Sequence, residues 1–201
     1  MERQAETRRL DDFQLRTGDA LIVVDVQNDF LPGGKLAVTA GDEVVPALNE
    51  YQRRFVSRGL PIFATRDWHP TDHCSFTQRG GRWPAHCVAG TPGAEFAAGL
   101  LLPAAAVVIS KATLPEAEAY SAFAGGDLAQ RLRRAGVGRL FVGGLATDYC
   151  VLETVRDGLA EGFAVVLLVD AVRAVSADDG ARAVAQMSAL GAGLACLGEA
   201  R

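Results

Sequence analysis

All three histidines of this 201-residue chain lie between His69 and His86. Imidazole is the commonest metal ligand in proteins, and Asp67 stands two positions before His69, on the same side of an extended segment. One carboxylate and up to three ring nitrogens suit Zn, Fe or Mn. The spacing predicts one divalent metal ion held by Asp67, His69 and His86, with His73 as a fourth ligand or a hydrogen-bond partner beside them. The alternative is that each of the three histidines forms its own hydrogen bonds and that they share no metal ion.

Cys150 is the candidate nucleophile. It follows Gly143 and Gly144 at the predicted start of a helix, where Thr147 or Asp148 is placed to cap the helix. The helix dipole and the free amides of a first turn favour a thiolate and can hold an oxyanion. A free cysteine is equally often a small buried apolar residue, so this position alone leaves both roles open.

Asp25 and Lys111 offer the groups that a cysteine nucleophile needs. An aspartate beside a cysteine can accept the thiol proton and return it to a leaving group. A lysine at the end of a buried strand can stabilise the thiolate and orient the carboxylate. The alternative is a structural ion pair between the two, because buried charges are normally paired.

The elements that position these residues are apolar runs that alternate with helical patterns. Such runs indicate strands buried on both faces, and helices between them indicate parallel pairing. Strands are predicted at 20–24, 60–64, 106–109, 139–142, 163–169 and 194–197, with helices at 44–58, 128–135, 149–160 and 178–190. The predicted fold class is therefore α/β, a three-layer α/β/α structure with about six mostly parallel strands.

Ligands bind beyond the carboxyl ends of the strands in such sheets. A reactive side chain follows four of the predicted strands: Asp25, Asp67, Lys111 and Cys150. Their convergence on one edge predicts an active site there. The stretch 67–103 carries little regular pattern, and a loop of that length in a compact domain is usually functional.

The composition is that of an ordinary globular protein, with 49% apolar residues, 22% charged residues and a net charge of −4. The acidic balance argues against a nucleic-acid partner. No apolar run reaches the ~18 residues of a membrane span, and the N-terminus lacks a signal-peptide core, so we expect no membrane partner and a cytoplasmic protein with reduced cysteines. We predict one domain at 19–201, preceded by a polar, irregular or loosely docked extension at 1–18.

Two aromatic residues flank the reactive positions. Phe30 follows Asp25 closely, and Trp83 closely precedes His86. Aromatic side chains are more often core residues than ligand platforms. Here, however, both can reach a pocket between nucleophile and metal, where a flat ring fits between them.

Taken in order, these residues resemble the nicotinamidase/pyrazinamidase branch of the isochorismatase-like cysteine hydrolases. The resemblance covers about residues 19–198. It is carried by Asp25-Val-Gln-Asn-Asp-Phe30, Arg66-Asp-Trp-His-Pro-Thr-Asp-His73, Trp83-Pro-Ala-His86-Cys-Val, Lys111-Ala-Thr, Tyr120-Ser-Ala-Phe123 and Gly144-Leu-Ala-Thr-Asp-Tyr-Cys150-Val. Each motif is weak alone, whereas their joint order is specific. One departure is Ala112, which stands where many relatives have glycine.

The resemblance implies an α/β/α fold and a catalytic triad of Asp25, Lys111 and Cys150. It implies a cis peptide bond between Leu145 and Ala146, which would aim the amides of Ala146 and Cys150 at an oxyanion. It also implies a divalent metal on Asp67, His69 and His86, with His73 a ligand in some relatives only. The substrate-binding residues that we infer are Phe30, Trp83 and Tyr149.

The implied activity is that of an amidohydrolase. Nicotinamide, and pyrazinamide as well, would be hydrolysed to the acid and ammonia through a thioester on Cys150, while the metal orients the ring. The expected partner is a small aromatic amide, and a homo-oligomer is one option for assembly.

Other functions compete with this one. Relatives that act on other small amides or ureido compounds keep the Asp/Lys/Cys pattern but generally lack the metal motif. A zinc hydrolase would attack with metal-bound water and leave Cys150 structural. A dinucleotide-binding module lacks its phosphate cradle, because no G-x-G-x-x-G follows the first strand.

Overall fold

The structure, a computed structural model, describes residues 6–124 and 126–198. Its strands are β1 (Thr7–Arg9), β2 (Asp19–Val24), β3 (Ile62–Asp67), β4 (Val107–Lys111), β5 (Arg139–Leu145), β6 (Ala164–Arg173) and β7 (Gly193–Cys196). Its α-helices are α1 (Val44–Val56), α2 (Leu128–Arg134), α3 (Leu152–Ala160) and α4 (Ala177–Ala189). The predicted elements are all present, with ends that differ by a few residues.

The strands form one sheet in the order β1-β7-β6-β5-β2-β3-β4, and each neighbouring pair is parallel. The chain runs from the interior strand β2 outward to β3 and β4, then returns to β5 on the other side of β2. The direction of winding therefore reverses between β2 and β5. In open α/β sheets, ligands bind beyond the carboxyl ends of the strands at such a switch point.

Helices cover both faces of the sheet, which confirms the three-layer prediction. Side chains alternate along β2, so Leu21 and Val23 pack on the face covered by α1, while Ile22 and Val24 pack on the face covered by α2, α3 and α4. All four are fully buried. A strand that is apolar on both sides is what a parallel sheet between two helical layers requires.

Within the described residues the sheet has seven strands, one more than predicted, because part of the N-terminal extension joins it. Thr7–Arg9 pairs in parallel with β7, and Leu10, 1% exposed, then enters the core. The expectation of an irregular or loosely docked arm is therefore wrong for residues 7–13. The three residues of β1 are polar and exposed, so no apolar alternation marks them, and only the open edge of β7 gives them a partner. Residues 1–5 lie outside the described part of the chain.

Two helical segments differ in how their first turns are capped. Ser176 caps α4 by accepting a hydrogen bond at 3.3 Å from the amide of Asp179. The prediction that Thr147 or Asp148 caps the helix of the nucleophile is wrong, because that helix begins without a side-chain cap. The Asp148 carboxylate instead accepts a hydrogen bond from the amide of Val175 at 3.1 Å.

Across residues 6–124 and 126–198, no helix combines the length and the apolar character needed to cross a membrane.

Candidate active site

The four reactive side chains predicted at strand ends do converge. Asp67 and Lys111 are the last residues of β3 and β4, and Asp25 directly follows β2. Cys150 lies in a helical turn that follows β5. The ligand atoms of Asp25, Asp67 and Cys150 lie within 4.8 Å of one another. All of these side chains are buried, so their charges interact in a medium that screens them weakly.

Gly144 brings the nucleophile to the switch point. It has φ +130°, and a Cβ at this position would come within 2.0 Å of the carbonyl oxygen of Val24. Only glycine therefore allows the end of β5 to lie this close to β2. The contact places the turn that carries Cys150 directly beside Asp25.

Lys111 organises the buried charges. Its ammonium group donates hydrogen bonds to Asp67 Oδ1, to the carbonyl oxygen of Ala119 at 3.1 Å and to Cys150 Sγ at 3.5 Å. Burial alone would lower the pKa of Lys111, but the carboxylates of Asp25 and Asp67 outweigh it and raise the pKa well above its usual value. Lys111 is therefore a permanent cation in the site.

Asp25 is placed to accept a proton from the thiol. Its Oδ1 accepts a hydrogen bond from the hydroxyl of Thr65 at 2.6 Å. Its Oδ2 lies 2.9 Å from Lys111 Nζ, and the ligand atoms of Asp25 and Cys150 lie within 4.8 Å of each other. Burial raises the pKa of Asp25, which makes the carboxylate a stronger base than an exposed aspartate. A base of this kind beside a thiol is suited to general acid–base catalysis.

The Cys150 thiol is buried among charges of both signs. Burial raises its pKa well above the usual value, and the stabilising charge of Lys111 is opposed by the carboxylates of Asp25 and Asp67. Burial therefore acts against the thiolate that the first helical turn is expected to favour, and that expectation stays a prediction. The thiol must lose its proton during attack, and Asp25 Oδ2 is the nearby acceptor.

The turn that carries Cys150 is a π-helical turn at Thr147–Val151. The carbonyl oxygen of Ala146 accepts hydrogen bonds from the amides of Tyr149 and Val151, both at 3.1 Å, and not from the amide of Cys150 between them. The peptide bond between Leu145 and Ala146 is cis, as the family resemblance implies. The oxyanion-binding role of the Ala146 and Cys150 amides stays a prediction.

Asp67, His69 and His86 form a group that fits a divalent metal ion. Their ligand atoms lie within 4.8 Å of one another, and all three residues are buried. His69 Nδ1 contacts the carbonyl oxygen of His86 at 3.0 Å, and His86 Nδ1 contacts that of Pro84 at 2.8 Å. Each ring is thus held through Nδ1 and presents Nε2 for ligation, which is the usual outer-shell arrangement of metal-binding histidines.

The charges of the site also suit a cation. One ammonium, that of Lys111, lies between the buried carboxylates of Asp25 and Asp67. Burial would raise the pKa of Asp67, but the opposing effects, led by the charge of Lys111, outweigh burial and the pKa is lowered, so this carboxylate is ionised and can bind metal. Burial lowers the pKa of His69 to about 4, so its imidazole is neutral, as ligation requires.

His73 lies beside the metal-binding group and is not a member of it. Its ring centroid is 4.4 Å from that of His69. It belongs to a second cluster with His69 and Glu118, in which Glu118 is exposed. Both of its ring nitrogens contact protein atoms, Ser75 Oγ at 2.8 Å and the carbonyl oxygen of Ala117 at 3.1 Å. Its predicted role as a ligand stays untested.

An aromatic cleft opens onto Cys150 and the metal-binding group. The predicted substrate-binding residues Phe30, Trp83 and Tyr149 all line it, together with Leu36 and Tyr120. The ring centroid of Phe30 lies 5.6 Å from that of His86, and the rings of Trp83 and Tyr149 meet edge to face at 5.2 Å. The cleft is narrow and apolar, with the polar atoms at its inner end, and suits a small flat molecule.

This geometry agrees with the comparison to known proteins. The model of the family described as "Isochorismatase domain" matches residues 19–199. The chain belongs to the isochorismatase family. The nicotinamidase/pyrazinamidase of Mycobacterium tuberculosis is 41% identical to this isochorismatase-family chain over 185 residues, which are 88% of this chain and 98% of that protein.

Two solved structures resemble this isochorismatase-family chain along most of its length. The pyrazinamidase of Pyrococcus horikoshii in complex with zinc has a TM-score of 0.86 and 53% identity, and covers 88% of this chain and 98% of that one. The PnC1 protein from L. infantum in complex with nicotinate has a TM-score of 0.82 and 40% identity, and covers 89% of this chain and 92% of that one. The nicotinamidase/pyrazinamidase branch that the motifs indicated is therefore confirmed.

Sequence reasoning missed several residues of the site. Tyr120 was noted only within a motif, yet it lines the cleft and its hydroxyl accepts a hydrogen bond from Trp83 Nε1 at 3.1 Å. Gln27 was not singled out, yet its side chain binds the backbone of Asp67 in both directions, at 2.8 Å each. Thr65 donates its hydroxyl to Asp25, and the backbone carbonyl oxygen of Ala119 accepts from Lys111. No pattern of residue types marks such partners.

The departure at Ala112 has a structural consequence. Ala112 has φ 51°, in the left-handed region where a Cβ is unfavourable. The same is true of Asp25 at φ 49°. Glycine after the lysine, as in many relatives, would adopt this conformation without that cost.

Proposed function

We propose that this protein is a nicotinamidase that hydrolyses nicotinamide to nicotinate and ammonia, and pyrazinamide in the same way. The observation that carries the proposal is the placement of the buried Cys150 thiol, the Asp25 carboxylate and a three-residue metal-binding group beside one aromatic cleft. The names of the relatives, and the nicotinate in one of the similar structures, support the same activity. Residues 19–201 would form the catalytic domain.

Thioester formation follows from the arrangement of Asp25 and Cys150. Cys150 Sγ forms a bond to the carboxamide carbon while its proton passes to Asp25 Oδ2. The C–N bond then breaks, and Asp25 returns the proton to the nitrogen, which leaves as ammonia. Lys111 holds Asp25 and Cys150 in place and stabilises the negative charge that develops on sulfur.

Hydrolysis of the thioester uses the same base. Asp25 accepts a proton from a water molecule whose oxygen bonds to the thioester carbon. The C–S bond breaks, the proton returns to sulfur, and nicotinate is released. The amides of Ala146 and Cys150 would stabilise the negative carbonyl oxygen in both steps.

We propose that the metal is zinc, held by Asp67, His69 and His86. Three protein ligands that leave an open position are typical of catalytic zinc sites, and one of the similar structures is a zinc complex. When bound, the ion supplies a Lewis acid that orients and polarises the substrate ring. Phe30 and Trp83 would hold the two faces of that ring, and Tyr149 would border the cleft beside Cys150.

Ammonia release from nicotinamide by the zinc-loaded protein tests this function, with Cys150→Ala as the key variant. We expect turnover by the wild type, none by the variant, and equal zinc content in both. Turnover that survives in Cys150→Ala would mean that metal-bound water, and not Cys150, is the nucleophile. No turnover by the wild type on nicotinamide, combined with turnover of another amide or a ureido compound, would assign the protein to a sister activity of the family.

A further inference from the structure

His73 is held in a single tautomer by its neighbours. The carbonyl oxygen of Ala117, which can only accept a hydrogen bond, lies 3.1 Å from Nε2, so Nε2 carries the ring hydrogen and donates it. The backbone amide of Ser75 donates to Nδ1 at 3.3 Å, and the Ser75 hydroxyl lies 2.8 Å from the same nitrogen. Neither nitrogen therefore presents a free lone pair to a metal ion.

The bond to Ala117 attaches His73 to the segment 113–123, which follows β4. Cys74, the next residue, donates its amide to the carbonyl oxygen of Pro115 at 2.7 Å. The loop that follows the metal ligand His69 is thus joined to the segment 113–123 at two successive residues. His73 is fully buried, so its hydrogen bond is protected from exchange with water.

The segment 113–123 carries two groups that the site uses. The carbonyl oxygen of Ala119 accepts a hydrogen bond from Lys111 Nζ at 3.1 Å. Tyr120 lines the aromatic cleft and accepts from Trp83 Nε1 at 3.1 Å. Residues 113–118 are exposed apart from the half-buried Pro115, so polar contacts rather than apolar ones hold this half of the segment, whereas Ala122 and Phe123 pack against the core.

We propose that His73 is a positioning residue and not a metal ligand. Through Nε2 it fixes the carbonyl oxygen of Ala117, and thereby sets the position of Tyr120 as a wall of the substrate cleft. Loss of this hydrogen bond loosens the wall and leaves the metal-binding group of Asp67, His69 and His86 complete. The role in substrate binding rests on the proposed amidase function, whereas the role in holding the segment does not.

Three variants of the zinc-loaded protein separate positioning from ligation. His73→Gln keeps an N–H donor at the position of Nε2, His73→Ala removes it, and His86→Ala removes a ligand. We expect one zinc per chain in both His73 variants and a loss of zinc affinity of about 100-fold or more in His86→Ala. Hydrogen exchange of the amides in 113–123 should accelerate in His73→Ala and return towards the wild-type rate in His73→Gln.

Kinetics on nicotinamide add a second readout. Loss of one buried hydrogen bond should raise KM about 3- to 10-fold in His73→Ala, with a smaller change in kcat, and His73→Gln should recover most of the loss. In the zinc-loaded wild type, ¹⁵N spectra should show a hydrogen on His73 Nε2.

The proposal is overturned if His73→Ala loses zinc as His86→Ala does, or if His73 Nε2 carries no hydrogen in the zinc-loaded protein. It is also overturned if exchange in 113–123 is unchanged in His73→Ala, or if His73→Gln fails to restore it. The zinc, exchange and tautomer measurements do not require turnover, so they decide the role of His73 even if nicotinamide is not the substrate.

Discussion

Lys111 Nζ lies 2.9 Å from Asp25 Oδ2, and the two side chains form a buried ion pair. The same ammonium donates hydrogen bonds to Asp67, Ala119 and Cys150. An ammonium group has three hydrogens, and here four acceptor atoms share them, so the lysine does not use up the hydrogen-bonding capacity of the Asp25 carboxylate. In a purely structural ion pair both partners are normally satisfied by hydrogen bonds, so this sharing favours a catalytic role for Asp25.

The Asp25→Asn variant should lower kcat/KM for nicotinamide by about 10²- to 10⁴-fold, because an amide cannot take the thiol proton. Steady-state assays and thermal melts measure the effect on activity and on folding. Asp19→Asn is the matched control, since Asp19 begins the same strand and is 1% exposed, but it pairs with Arg139 at the opposite end. It should lower stability by about 3 kcal/mol and keep its kcat/KM. Wild-type turnover by Asp25→Asn would remove this aspartate from the mechanism.

The stability of the metal-free protein should depend on His69. Burial lowers its pKa from 6.5 to about 4 in the folded state. Between these pH values the unfolded chain binds more protons than the folded chain, so the free energy of unfolding falls as the pH is lowered, by about 1.4 kcal/mol per pKa unit.

Urea unfolding of the metal-free protein between pH 6.5 and pH 4 measures this dependence. His69→Asn is the control, because it removes one titrating group while other groups keep their contribution. The wild type should lose more stability over this range than His69→Asn does. Equal slopes for the two proteins would mean that the folded state accepts a proton on His69.

Trp83 should act through the face of its ring. Trp83→Ala removes one wall of the cleft and should raise KM for nicotinamide about 10-fold, because aromatic stacking adds about 0.5–1.5 kcal/mol to the burial of area. Trp83→Phe keeps a ring but loses the hydrogen bond to Tyr120. The KM of Trp83→Phe should therefore lie between the KM of the wild type and that of Trp83→Ala. Equal KM values for Trp83→Phe and Trp83→Ala would show that the hydrogen bond, and not the ring face, is what matters.

Ala112→Gly should raise the free energy of unfolding by up to about 1 kcal/mol, because glycine adopts the left-handed backbone conformation without strain. The greater flexibility of the unfolded chain with glycine offsets only part of this gain. Denaturant unfolding gives the free energy. Ala181→Gly, at an exposed position inside α4, is the control and should cost about 1 kcal/mol. Destabilisation of both variants to the same extent would contradict the argument from φ.

Much of the fold could be predicted because burial leaves a local pattern. Strands β2 to β7 and all four helices follow from apolar runs and helical spacing. Strand β1 does not, since Thr7–Arg9 is polar and gains its structure from the open edge of β7. A distant partner also decided the first turn after β5. There Asp148 accepts a hydrogen bond from Val175 in another loop, and the helix has no side-chain cap.

The sequence by itself determined which groups meet. Asp25, Asp67, Lys111 and Cys150 follow strands, and parallel strands bring their carboxyl ends to one edge. The tertiary structure alone decided how those groups behave. Burial raises the pKa of the Cys150 thiol, four acceptor atoms share the ammonium group of Lys111, and the carbonyl oxygen of Ala117, in a remote loop, contacts His73 Nε2. Protonation states and hydrogen-bond directions depend on distances between residues far apart in the chain, and no local pattern encodes them.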